Sequence, residues 1–164
     1  MRTPAAEEKT ALVRVLATSW FVRLWYLPVW GLLGVSRLAI LLLEFRRLVR
    51  ILGMRVEPHG SGPNLNRAER QRAGEIGRVI RSASCRTPWK SNCLTQAVTA
   101  RVMLGLHGLP CVVIFGVAKY RTNGQRLAHA WVESGRVRVT GGHRGPNYVV
   151  LGSFGSRSRS SAQP

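Results

Sequence analysis

The chain has 164 residues, 45% of them hydrophobic, enough for one modest core and too few for two independent ones. Lys and Arg number 25 against 7 acidic residues, a formal charge of +18, which draws in anionic partners such as nucleic acid, anionic lipid or acidic peptide. The basic residues are spread along the whole length, with neither zinc-finger spacing nor an RNA-binding aromatic box, so specific nucleic-acid binding is not expected.

At the N-terminus, Glu7, Glu8 and Lys9 stand where a secretory signal needs an apolar run, and with three cysteines, an odd number, this implies a reducing cytoplasm. Residues 11–52 are strongly apolar but are cut by Arg14, Arg23 and Arg37 and broken by Pro28. The longest uncharged stretch, Leu24 to Ser36, falls short of the about 20 apolar residues a spanning helix needs. Two helices are predicted instead. The first runs from about Thr10 to Pro28; the second is capped by Ser36, presents Leu38, Leu41, Leu42, Phe45, Leu48, Val49 and Leu52, and stops at Gly53. This apolar extension reads as a cap over a catalytic core, a docking face for a partner protein, or a peripheral contact with an anionic membrane. Trp20, Phe21, Trp25, Tyr26 and Trp30, expected to be exposed, favour an interface.

Residues 53–66, with Pro58, Gly60, Gly62 and Pro63, read as a linker, which divides the chain into an extension over 1–66, a core over 67–154 and a disordered tail over 155–164. In the core, Arg67 to Ala83 is a polar helix with Ile76, Val79 and Ile80 inward. After Thr87-Pro88-Trp89, a second helix capped by Ser91 or Asn92 runs from Cys93 to about Leu106, closed by Gly108. Cys111 to Val117 is a buried strand. Tyr120 to Arg126 is a polar loop. Leu127 to Glu133 and Arg136 to Thr140 form a hairpin about Ser134-Gly135, and Val149 to Leu151 adds a short strand.

Cys93 on a first helical turn feels the positive helix end and its free N–H groups, which favour thiolate, the nucleophilic form. A following strand that begins near His129, 36 residues on, can bring an imidazole to that thiol as base and later as acid toward a leaving amine. Cys111 reads as core, and Cys85 has no pattern. Trp89 is a candidate wall of the site and Gln96 a candidate substrate contact; the Cys93 N–H and Asn92 are candidate oxyanion donors. Cys85 and Cys93 are eight apart and His129 and His143 fourteen apart, which fits no zinc spacing, so neither a metal nor another cofactor is expected.

Taken together, Ser91-Asn92-Cys93-Leu94-Thr95-Gln96-Ala97, Gly108-Leu109-Pro110, Ile114-Phe115-Gly116-Val117 and Ala128-His129-Ala130-Trp131-Val132-Glu133 resemble the core of the B protein of lasso peptide biosynthesis, in its stand-alone leader-peptidase form. Tyr148 to Phe154 is similar to that family's ending. The resemblance implies an α+β fold of transglutaminase-like, papain-like type, with a nucleophile helix packed on a small antiparallel sheet. It implies a cysteine peptidase that removes the leader of a precursor peptide, served by a separate leader-recognition protein and an ATP-dependent cyclase. Transfer of the acyl group to an amine, or an inactive scaffold that docks maturation partners, are the alternatives. The family's usual third residue is an Asp on the strand after the His strand, and this chain contains no Asp. With Glu133 paired to Arg136, Thr140 faces His129 and takes that place; Glu133, Asn147 or a backbone carbonyl are the other substitutes.

Overall fold

The computed structural model describes residues 20–44, 47, 53–56, 64–118, 128–142 and 148–155. Helix α1 spans Trp20–Leu42, strand β1 Met54–Arg55, helix α2 Arg67–Ser84 and helix α3 Cys93–Leu106. Strands β2 (Val112–Ala118), β3 (Ala128–Ser134), β4 (Val137–Thr140) and β5 (Tyr148–Gly155) follow. The architecture is α+β: an antiparallel sheet in the order β1-β5-β2-β3-β4, with α2 and α3 packed on it and α1 packed on those two helices.

Local sequence accounts for α2 and α3. Asn66 and Glu69 form a reciprocal capping box, 2.9 and 2.7 Å, which satisfies two backbone donors that the helix start would leave unpaired. Ile76, Val79 and Ile80 then recur at helical spacing and are fully buried. In α3, Ala97, Val98, Ala100, Met103 and Leu104 enter the same core as Val113, Ala130, Val132 and Val139 of the sheet. Leu94 and Val102 of the same helix are only half-buried.

The N-terminal region departs from expectation. Among the described residues a single helix runs through Pro28, and Ser36 is a buried mid-helix residue, not a cap; the expected start near Thr10 and Phe45, Leu48, Val49 and Leu52 lie outside the described residues. Proline removes an N–H and excludes the carbonyl four residues back, but Pro28 and Leu24 both lie on the exposed side, where that carbonyl is not sealed in a core. Val29 and Leu33, fully buried in the shared core, carry the helix past the break. The Thr99 hydroxyl donates to Ser36 Oγ at 2.9 Å and ties α1 to α3. The aromatic residues are corrected too: Trp20 is exposed, but Phe21 is buried and Trp25, Tyr26 and Trp30 pack against the core. At 23 residues α1 is long and apolar enough to cross a bilayer by length and composition, contrary to the shorter stretch predicted.

The expected linker contributes β1, where Met54 and Arg55 pair with Gly155 and Phe154. The loop at 120–126 and the tail at 155–164 lie largely outside the described residues. β5, expected as three residues, has eight and runs between β1 and β2.

Candidate active site

Cys93 opens α3. Asn92 is the N-cap, with extended backbone (φ −68°, ψ 176°), and its Oδ1 accepts from the Thr95 N–H at 3.0 Å and from the Thr95 hydroxyl at 2.9 Å. The oxygen of Asn92 is thus committed to holding the helix start, and only its amide NH₂ is left to act as a donor. The Gln96 amide donates to the Ser91 carbonyl at 3.0 Å, and Ser91 Oγ meets Thr87 Oγ1 at 2.8 Å. Gln96 therefore fixes the approach to Cys93. The Cys93 N–H is one of the first-turn donors that no helical carbonyl reaches, and its side chain is half-buried.

Trp89 packs away from the site, against Trp30 of α1 with ring centroids 4.8 Å apart. Its indole N–H is buried and unpaired. It props the loop before the cysteine from behind.

His129 pairs with Gly116 across β2 and β3. Its Nε2 lies 2.9 Å from the Gly141 carbonyl oxygen. A carbonyl can only accept, so Nε2 carries the proton and Nδ1 is left with the lone pair. The ring lies beside Trp131, stacked at 6.0 Å, and Tyr148 at 5.3 Å. Trp131 is itself buried and covered by the Arg138 guanidinium at 5.2 Å. Cys93 and His129 are not hydrogen-bonded to each other, as is common for catalytic pairs before substrate closes them.

Thr140 does not face His129. The hairpin turns at Gly135-Arg136, with Gly135 at φ 55°, and Ser134 belongs to β3, its hydroxyl donating to the Pro110 carbonyl at 2.6 Å. The register is Ser134 to Val137 and Glu133 to Arg138, and a bulge then sets Thr140 across from Val132. There Thr140 is buried with its hydroxyl unpaired. Glu133 is held by Arg138 at 3.1 Å, and Asn147 lies outside the described residues. Of the substitutes considered, the backbone carbonyl is the one in contact with the ring. Gly141 was missed as a site residue; the signal for it was the Gly141-Gly142 pair after β4, both at positive φ (95° and 66°).

Beside the start of α3 the sheet remains open. Ala130, Phe115 and Gly152 stand side by side across β3, β2 and β5, and they line a cavity of about 540 Å³ that is also bordered by Cys93, His129 and Phe154. Arg55 of β1 is the one permanently charged side chain on its lining among the described residues. Asn92, Trp89, Gln96 and Thr140 do not border it. Cys111 is core: burial pushes its thiol above the ordinary value, opposed by the Arg101 guanidinium. Cys85 is exposed. Among the described residues no cluster of three or more His, Cys, Asp or Glu could hold a metal ion.

A cysteine at a helix start and a histidine on an adjoining strand, both opening on one apolar cleft, are the layout of the thiol-dependent acyl-transfer class, peptidases and transglutaminases together. Residues 39–153, more than half of the chain, match the family model of the transglutaminase-like superfamily. The chain belongs to that superfamily, whose members are typically Cys–His–Asp enzymes. No curated protein and no solved structure matches it.

Proposed function

We propose that this protein is a cysteine peptidase that removes the leader from a lasso peptide precursor. The observation that carries the reading is the shared cavity: Cys93 at the start of α3 and His129 on β3 open onto the same peptide-sized, largely apolar space. The motif words around both residues resemble the leader-peptidase family, and that resemblance favours this reaction within the superfamily.

In the proposed reaction Cys93 gives its proton to His129 Nδ1 and its sulfur attacks the carbonyl carbon of the leader–core amide. This needs Nδ1 to come within hydrogen-bond reach of the thiol as substrate closes the pair. The Cys93 N–H receives the oxyanion. The C–N bond breaks as the imidazolium protonates the leaving amine, and water then displaces the thiol from the acyl-enzyme. The Gly141 carbonyl holds the Nε2 proton throughout and so supports the imidazolium in place of a carboxylate. A separate recognition protein would present the leader, and an ATP-dependent cyclase would take the core peptide.

Purified protein, incubated with a precursor peptide and its recognition protein and followed by intact mass, tests this. A leader fragment that has gained one water is expected, lost by at least about 10³-fold in Cys93→Ala and His129→Ala. A covalent amine adduct in place of hydrolysis would assign acyl transfer instead, and processing retained by both variants would leave a docking scaffold.

A further inference from the structure

Helix α1 has one face in the core and a second face that nothing among the described residues covers. At 3.6 residues per turn, Trp20, Leu24, Leu27, Val35, Leu38 and Leu42 fall on one line, opposite Val22, Val29 and Leu33. These six side chains are between 55% and 77% exposed. Gly31 continues the line, and a side chain there would meet nothing within 4 Å. The stripe runs the whole helix, about 33 Å at 1.5 Å per residue, far longer than an isolated surface leucine, and so it is a surface built for contact.

The charges say which contact. Arg23 and Arg37 are the only charged residues of α1, which has no acidic residue; by the same helical geometry both lie on one flank of the stripe. The whole chain carries +18. Pairing this face with a second copy would bring two strongly cationic molecules together, whereas an anionic lipid surface gains from the same charge. An apolar stripe that includes a tryptophan and has arginines along one edge suits the interfacial layer of a bilayer, where indole rings settle and arginine heads reach the phosphates. Spanning the bilayer would strip Val29 and Leu33 from the core and break the buried Ser36–Thr99 hydrogen bond.

We propose that α1 is a peripheral membrane anchor: its outward face lies in the interfacial plane of an anionic bilayer while its inward face stays packed on α2 and α3. The proposal does not depend on the peptidase reading.

Flotation of the full-length protein with vesicles tests it, comparing phosphatidylglycerol–phosphatidylcholine mixtures with pure phosphatidylcholine. Wild type is expected to float with the anionic vesicles, to bind them less as salt is raised, and to be released by alkaline carbonate. Leu24→Glu/Leu38→Glu should lose binding by at least about tenfold with an unchanged circular dichroism spectrum and melting temperature. Arg23→Gln/Arg37→Gln, which leaves the apolar stripe intact, should weaken binding to anionic vesicles alone. Failure of wild type to float, equal binding to neutral vesicles, or retention through carbonate would each overturn the proposal. So would a lipid-free dimer by analytical ultracentrifugation that the Glu variant dissociates, which would give the face to a second copy.

Discussion

The Nε2 of His129 lies 2.9 Å from the carbonyl oxygen of Gly141, so a backbone group holds the imidazole in a chain that has no aspartate. The carbonyl brings no full charge, but it fixes the ring's tautomer and orientation, the part of the third residue's work that geometry alone can do.

Gly141 cannot be exchanged for the missing carboxylate. Its φ is +95°, and a Cβ there would overlap the Cβ of Trp131. Gly141→Asp is therefore expected to destabilise the fold by about 2 kcal/mol or more and to lower cleavage, not raise it. Thr140→Asp should fail for a different reason, since it buries a carboxylate beside Val132, where even the Thr140 hydroxyl has no partner. Melting temperature and cleavage rate, measured side by side, check both.

The cavity can be filled without disturbing the fold. A Cβ on Gly152 would meet only the Phe154 ring, at an ordinary 3.7 Å. Gly152→Val is expected to change stability by less than about 1 kcal/mol and to lower precursor cleavage by about tenfold or more, with Gly152→Ala between. Unchanged cleavage kinetics in Gly152→Val would show that substrate lies elsewhere.

The loop that delivers Cys93 rests on α1. A Cβ on Gly34 would come within 3.0 Å of the Trp89 ring, four residues before the cysteine. Gly34→Val should push Trp89 from its seat, cost about 1–3 kcal/mol of stability and slow alkylation of Cys93 by iodoacetamide. Val35→Ala, on the exposed stripe, is the control and should alter neither.

Cys111 gives a pH signature. Its folded thiol sits above the ordinary value of 9.0 because burial disfavours thiolate. The unfolded chain then loses this proton first as pH rises, and the folded form binds more protons. The stability contributed by the neutral thiol is present below pH 9.0 and is lost as pH climbs from there toward the raised folded value. Chemical denaturation at a series of alkaline pH values should show wild type losing stability more steeply than Cys111→Ala, and Cys111 should resist alkylation in the native protein while Cys85 reacts.

Much of the site was legible because it is local. Asn92 before Cys93 is a capping signal, the buried positions of α2 recur at helical spacing, and the Ala128 to Glu133 word reads as a strand bearing His129. Each of these depends on neighbours within a turn or two of chain, so the amino-acid order alone determines it. Tertiary structure decided the rest. Whether Pro28 ends a helix depended on Val29 and Leu33 finding a core to enter, and the strand at Met54–Arg55 exists only because β5 is there to pair with it. The partner of His129 turned on where the hairpin bends. Moving the turn from Ser134-Gly135 to Gly135-Arg136 and adding one bulge carries Thr140 away from His129 to Val132, and the His129 ring meets the Gly141 carbonyl instead. That choice was made by Ser134 reaching Pro110 and by the close fit of Gly141 over Trp131, contacts between segments that no short stretch of sequence contains.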